Sequence, residues 1–467
     1  MLRKSIIGVS LLTLAACQTG PDYSPPQMPS AAAGKFVAAS SPAVDPLSPV
    51  DENWWRLYRD PVLDQLIADA RAANTDIRVA VARLERSRAA LREIRADRLP
   101  DVAANVSGSY GRTPFSDGNP RGSRGDWSFD TGLDVAYEVD LFGRNSRGAE
   151  AARADIDAAQ ADLEAVQISV TAETARAYGD AAASTEQIAV VTRIVALLDR
   201  SLALTRSRQQ VGLTTGLDAA RILTLRNQRQ ADIPILMAQR ESALFRLATL
   251  TGRTPADLPP IAAQRTEALQ IEDPIPVGDG AALLSRRPDV RAAERRLAAS
   301  TARIGVSTAD LYPRITFGGS VSSSGPSIGD VIGANPLQWL LGPLINWSFT
   351  DHARARARVE GAEADTRADL ARFDGSILVA LQETETALSL YSRALDRRFA
   401  LRNARDAAGN AARIVRAQQR EGEVDGLVLL DAERTFAEAE AQLGAMNVDI
   451  SNAQIDLFKA LAGKWED

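Results

Sequence analysis

Fifteen residues, Trp127 to Leu141 (WSFDTGLDVAYEVDL), constrain the fold of this chain more than any other stretch. Trp127, Phe129, Thr131, Leu133, Val135, Tyr137, Val139 and Leu141 alternate with Ser128, Asp130, Gly132, Asp134, Ala136, Glu138 and Asp140. A period of two is a strand with one apolar and one acidic face. It outruns the usual globular strand of about 5–6 residues and matches the roughly 9–11 that a tilted strand needs to cross a bilayer. The same alternation serves a soluble antiparallel sheet with its acids in water, so the surrounding chain has to decide. After Phe142 and Gly143 the period changes, and GRNSRGAEAARADIDAAQADLEAVQISV reads as helix.

The order strand, turn, strand, long helix occurs twice. Upstream of Trp127, Pro61 opens a helix carrying Leu63, Leu66, Ile67 and Ala70, and a second helical run extends from Asp76 to Leu99. A short alternating strand then covers about 101–111. In the second half, RPDVRAAERRLAASTARIGVSTADLYPRI from Arg287 repeats NTDIRVAVARLERSRAALREIRADRLPDV from Asn74, pairing Asp76 with Asp289, Arg83 with Arg296, Asp97 with Asp310 and Pro100 with Pro313 at an offset of 213. Tyr178 and Tyr391 keep that offset, while RSRQQVGLTTGL at Arg206 pairs with RAQQREGEVDGL at Arg416 at 210. The pattern is an internal duplication. It implies two more strands, about 314–322 and 337–349, the latter locally weakened by Pro343, which removes a ladder donor.

Each copy holds a very long helix. Asn145 to Val211 contains no proline, and Ile156, Leu163, Val170, Ala177, Ser184, Val191, Leu198 and Thr205 fall seven apart, with Ile188, Val195 and Leu202 beside them. At about 1.5 Å per residue this spans on the order of 100 Å. Ala353 to Glu421 matches it, and both end in hairpins, Gly212 to Gly216 and Gly422 to Gly426, before a return helix.

The ends and the composition narrow the class. Met1 to Ala16 has Arg3 and Lys4, an apolar run and small residues, the design of a secretory signal. Removing it takes the formal charge from −6 to −8, which disfavours nucleic acid. The region 17–60, rich in Pro, Ser and Ala before Trp54 and Trp55, reads as an extended tether. The expected divisions are thus 1–16 signal, 17–60 tether, 61–253 first repeat, 254–284 linker and 285–467 second repeat. His352 is the sole histidine and Cys17 the sole cysteine, so His-based triads and metal clusters have no material, no phosphate loop occurs, and neither an enzyme nor a cofactor is expected.

Four strands cannot close a barrel in lipid, because open edges leave backbone groups unpaired; several chains must pool their strands. The chain resembles the TolC-like outer membrane factors, in their efflux lipoprotein branch of NodT and OprM type. The resemblance rests on Leu14-Ala15-Ala16-Cys17, GPDY at Gly20, NWW at Asn53, YEVDLFGR at Tyr137, SRRPDVRAAERRL at Ser285, ADLYPRITF at Ala309 and LVLLDAERT at Leu427. TDHARAR at Thr350 departs from the family's aspartate-glycine-glycine turn.

The resemblance implies a mainly α protein with membrane β structure: a homotrimer with a twelve-strand β-barrel in the outer membrane continued by a twelve-helix α-barrel in the periplasm. It implies an exit duct for an inner-membrane pump of RND type and its periplasmic adaptor, lipidated at Cys17. It places adaptor docking at the tips (Val211, Gly212, Leu213, Thr214, Gly422, Gly426) and the periplasmic aperture at Leu427 and Asp431. At offset 210, Leu217 and Arg221 stand at the matching places, so Arg221 and Asp431 are expected to pair in the closed aperture. Asp130, Asp134, Glu138 and Asp140 are expected to line the barrel lumen in acidic rings. A type I protein-secretion or metal-efflux channel is the alternative within the class; a coiled-coil structural lipoprotein without a pore is the alternative outside it, and it leaves the amphipathic strands unexplained.

Overall fold

The computed structural model describes residues 18–27, 29–48, 50–111, 126–333, 337–347 and 351–461. The signal segment, Cys17 and the junction at 348–350 lie outside these. In chain order the elements are β1 (Val44–Asp45), α1 (Pro61–Ala73), α2 (Thr75–Ala96), β2 (Asp101–Gly111), β3 (Asp126–Val139), α3 (Arg144–Gln210), α4 (Gly216–Leu250), β4 (Ile275–Pro276), α5 (Gly280–Arg286), α6 (Pro288–Ala309), β5 (Arg314–Gly325), α7 (Ile328–Gly333), β6 (Gln338–Asn346), α8 (His352–Glu421) and α9 (Gly426–Leu461). Two compact units result, one of Met1–Pro26, Arg83–Gln160 and Ala292–Asp374, the other of Gln27–Ala82, Ala161–Arg291 and Gly375–Asp467.

The first unit holds an antiparallel sheet in the order β2-β3-β5-β6. Tyr137 faces Phe317, Val135 faces Gly319 and Leu133 faces Val321, and Val321 in turn faces Trp339. Odd positions of β3, β5 and β6 thus form one apolar face; the other carries Asp130, Asp134 and Glu138 beside Ser324, Ser320 and Thr316. Leu133, Trp339, Leu341 and Ile345 are all more than 40% exposed on that apolar face, as membrane strands require. Pro343 is accommodated because β6 is an edge strand of the sheet.

β3 stops two residues short of the expected end. Asp140 accepts hydrogen bonds from Asn145 N (3.0 Å), Ser146 N (2.8 Å) and Ser146 Oγ (2.7 Å), so it caps the start of α3 instead of extending the strand's polar face. The orphan amides of a long helix compete better for this carboxylate than water does. Phe142 stacks on Tyr312 at 4.6 Å, joining the two strand-to-helix junctions.

Within the expected extended tether, residues 18–26 are held against the first unit. Gly20, at φ +87, lies so close to Gly305 that an added Cβ would sit 2.4 Å from its Cα. The buried Arg147 side chain donates to the Thr19 and Gly20 carbonyls and pairs with Asp22 at 2.5 Å, and the Tyr23 hydroxyl donates to Glu294. The GPDY motif therefore has a structural use, two glycines and one buried guanidinium holding the N-terminal segment down.

The second unit contains the core. Trp54 is 2% exposed and stacks on Phe458 at 4.8 Å, with Leu63, Leu66, Ile67, Tyr178 and Leu247 around it. The expected tether and linker meet here too: Val44 pairs with Ile275 in a short parallel ladder, and both are buried. The predicted heptad line of α3 is buried from Leu163 through Thr205. Tyr178 and Tyr391, 213 apart, are both buried in this core. Thr174 and Thr384, 210 apart, are both fully buried and donate to the carbonyl four residues back, whereas Tyr178 donates to Asp60 and Tyr391 accepts from Gln454.

Candidate functional site

The tip of α3 and α4 is built by one backbone rule. Gly212 adopts φ +78, which a side chain resists, and this left-handed residue lets Gly212 N bond Gln209 O (3.0 Å) and Leu213 N bond Arg208 O (2.9 Å). The tip of α8 and α9 repeats it: Gly422 is at φ +83, with Gly422 N to Gln419 O at 3.2 Å and Glu423 N to Gln418 O at 2.9 Å. Gly216 and Gly426 play another part, each being the first residue of a return helix.

The return helices are capped differently. Asp218 sits in the first turn of α4 and accepts from the Thr214 and Thr215 hydroxyls at 2.7 and 2.9 Å and from Thr215 N at 3.3 Å. These bonds, Thr214 foremost, hold its carboxyl below the usual carboxylate range. Asp425 caps α9 directly, accepting from Leu427 N and Val428 N, both at 3.0 Å. The two tips touch: Asp218 abuts Gly426, where a Cβ would meet its carboxyl carbon at 3.1 Å, and Arg208 donates to the Gln419 carbonyl.

Around these turns Val211, Leu213, Leu217, Leu427 and Val428 are 45–70% exposed. Leu427 is thus no core residue of the protomer. Asp431 is exposed as well, one turn further along α9. The structure does not join Asp431 to Arg221 within the chain. Asp431 instead pairs with Arg434 at 3.3 Å, and Arg221 lends its charge to Asp218.

The sequence reading missed the residues that hold α9 in place. Arg416 of α8 makes two bonds to Glu433 of α9, Nε to Oε1 at 2.6 Å and NH2 to Oε2 at 2.7 Å, and the Glu433 side chain is 4% exposed. Ser201 of α3 donates to the same carboxylate at 3.3 Å. The guanidinium lies 5.9 Å from the Phe436 ring centre, and the bonds to Glu433 raise its affinity for the proton. Arg416 and Glu433 stand seventeen apart across a hairpin, a spacing without a helical signature, so only their charge complementarity was visible.

On the polar sheet face Asp130, Asp134 and Glu138 do share one side of β3, at four-residue steps. Glu138 is partly neutralised by Arg144 at 3.7 Å, and Asp101 of β2 joins the same face through its pairing with Ala136. Among the described residues no helix is long and apolar enough to cross a membrane, and no cluster of three or more His, Cys, Asp or Glu is placed to hold a metal.

A sheet with one apolar face, feeding at once into long helical hairpins, defines a class: outer membrane proteins that extend into the periplasm. A family model described as outer membrane efflux protein matches residues 66–253 and, a second time, 281–463. The chain belongs to the outer membrane efflux protein family, whose members are transport channels of the outer membrane. It is 30% identical to outer membrane protein OprJ of Pseudomonas aeruginosa, over 100% of this chain and 98% of that one. The structure of the outer-membrane channel OprN superposes with a TM-score of 0.90 at 36% identity, covering 96% of this chain and 100% of OprN. The open state of the MtrE channel of Neisseria gonorrhoeae superposes at 0.83 with 28% identity, covering 96% and 98%.

Proposed function

We propose that this protein is the passive exit duct of a tripartite efflux system, a homotrimer delivering to the outside what an inner-membrane pump of RND type passes to it through a periplasmic adaptor. The observation that carries the reading is the open four-stranded sheet. Its apolar face belongs in lipid, and its outer strands β2 and β6 have unpaired edges that lipid does not tolerate. Three copies give twelve strands, and α3, α4, α8 and α9 from each give twelve helices, so that barrel and tunnel share one threefold axis. The twofold match of the family model and the spacings of 213 and 210 support an origin by duplication. Energy comes from the pump; the duct needs no active chemistry.

In this reading Cys17 carries acyl chains that anchor the chain in the outer membrane. Val211, Gly212, Leu213, Thr214, Gly422 and Gly426 meet the adaptor, through apolar tips that are exposed in the protomer. Leu427 and Asp431 form stacked rings at the aperture, with Arg221 of a neighbouring protomer as a second counter-charge beside the Arg434 that Asp431 already meets in its own chain. Asp130, Asp134 and Glu138 face the lumen; Asp140, engaged at the start of α3, does not. The test is conductance of the purified trimer in planar bilayers. Leu427→Ala with Asp431→Ala is expected to raise single-channel conductance and antibiotic leakage in a pump-deleted cell. A double variant that conducts like the parent places the aperture elsewhere, and a parent with no conductance removes the duct.

A further inference from the structure

The chain sets three of the strand registers that define a barrel and leaves one open, that between β6 of one copy and β2 of the next. Barrel diameter and stagger depend on it. We infer that the internal repeat also dictates this last register, setting Ile345 opposite Val106 and Leu344 opposite Ser107 of the neighbouring copy. The inference rests on the trimeric reading above.

The repeat can be calibrated on the two hairpins of the sheet. Asp101 of β2 faces Ala136 of β3; 213 and 210 residues further on, Arg314 of β5 faces Asn346 of β6. β2 and β5 are thus equivalent at 213, β3 and β6 at 210. The contact between hairpins, β3 with β5, then has a counterpart in β6 with the next copy's β2. Val135 faces Gly319. Carried forward 210 and back 213, that pair becomes Ile345 and Val106. In the same way Asp134 with Ser320 becomes Leu344 with Ser107, Thr131 with Ser323 becomes Leu341 with Tyr110, and Leu133 with Val321 becomes Pro343 with Gly108.

An independent property of the residues agrees. On β2 the positions paired to the acidic face of β3 are odd, and Val106 and Tyr110 lie on the opposite, apolar side. β6 is apolar on both sides, with Leu340 and Leu344 on its even face, and its odd residues Trp339, Leu341 and Ile345 belong to the lipid side because they pair with the odd residues Val321, Gly319 and Ile315 of β5. The deduced register sets even β2 against odd β6, so apolar meets apolar across the joint. Val106, Tyr110, Leu341 and Ile345 are 84%, 64%, 64% and 69% exposed in the protomer. A slip of one residue would turn each of them against a lumen residue. Patterning alone still admits slips of two, and the repeat selects among these.

Opposed residues on adjacent antiparallel strands bring their Cβ atoms to about 4.5–5.5 Å, near disulfide range, and adjacent pairs alternate between the closer and the wider kind. Two double variants of the full-length protein, Ser107→Cys/Leu344→Cys and Val106→Cys/Ile345→Cys, therefore cover both kinds. After mild oxidation in the membrane, at least one is expected to run as a covalent trimer on a non-reducing denaturing gel and to revert with reductant. The slipped pairs Asn105→Cys/Leu344→Cys and Ser109→Cys/Leu344→Cys should stay uncrosslinked, as should the parent with Cys17 alone. Crosslinking of a slipped pair, or of none while heat-dissociable trimers persist, overturns the register. Absence of any trimer from the parent overturns the trimeric reading and the register with it.

Discussion

α3 and α8 run for 67 and 70 residues and end on the same left-handed glycine turn, yet the ion pairs that bridge the hairpins behind those turns differ in burial. α3 is buried in its own protomer along the heptad line from Leu163 to Thr205, and it meets α4 through Asp199 with Arg226 at 2.9 Å and Asp180 with Arg246 at 2.5 Å. α8 exposes Leu378, Leu390, Phe399 and Ile414 and grips its return helix through the Arg416 to Glu433 bonds. The counterparts of that pair 210 residues earlier are Arg206 and Leu223, so the first hairpin has the base without the acid. Similar sequences thus produced two hairpins that both combine apolar and charged contacts, Asp199 with Arg226 and Asp180 with Arg246 in the first and Arg416 with Glu433 in the second, and only the last pair holds a carboxylate that is nearly buried. In the proposed trimer the exposed face of α8 is the one left for a neighbouring copy to cover, and directional bonds such as those of Arg416 suit a hairpin proposed to move at the aperture.

The sharpest way to break this comparison is Glu433→Gln. It leaves Arg416 without its carboxylate in a nearly closed site and is expected to cost about 3 kcal/mol. Leu223→Gln, at the matching half-exposed position, should stay within about 0.5 kcal/mol. Urea midpoints of the detergent-solubilised trimer compare the two, and equal losses would show that the hairpins are held alike. The turns themselves should answer in unison. Gly212→Val and Gly422→Val each force a β-branched side chain to a positive φ, at about 1–2 kcal/mol, with nothing within 4 Å of the first and only Arg208 near the second. Efflux should fall in both while trimers persist, as antibiotic susceptibility and gel mobility can record; a cost confined to one tip would mean that only that tip docks.

Smaller effects sharpen the difference in capping. Asp218→Ala removes the carboxylate that gathers Thr214 and Thr215 and should cost about 0.5–1 kcal/mol at the first tip. Because the folded carboxyl titrates below its ordinary range, its contribution is fully present above the ordinary carboxylate pKa of about 4 and is lost as pH falls through the lower folded value. Protection factors at residues 214–219, with exchange normalised to the intrinsic amide rate at each pH, should therefore fall on acidification in the parent and be low at every pH in the variant. The smallest effect belongs to the lumen. Replacing Asp130 and Asp134 by Asn should shift the reversal potential in a salt gradient by a few millivolts only, since charge in a wide pore is screened within about 8 Å at physiological salt. No change at all would leave these acids as hydration of the wall.

How far the sequence could be read depended on the range of the forces involved. The heptad line of α3 was legible because apolar burial repeats along one helix, and every predicted position from Leu163 to Thr205 is buried. The strands were legible because lipid on one side and water on the other impose alternation, clearest in β3 and still readable in β6 despite Pro343, Leu340 and Leu344. Asp140 was misread because alternation counts polarity and is blind to a helix start five residues away that needs acceptors. The contacts that hold the segment after Cys17 were not legible because its hold on Gly305 and Arg147 spans more than 100 residues of chain. Glu433 sat inside the motif LVLLDAERT in plain view, but its partner is on another helix.

What the amino-acid sequence alone determined is everything with a period: two hairpins of strands, two very long helices, their glycine turns and the order in which they recur. Alternation and the heptad are local consequences of side chains meeting solvent, lipid or core at fixed steps along the chain. Tertiary structure decided which polar residues serve as caps, clamps and ties. Those choices depend on distances between atoms far apart in sequence, and a carboxylate shows its partner only once folding has placed a donor within about 3 Å of it.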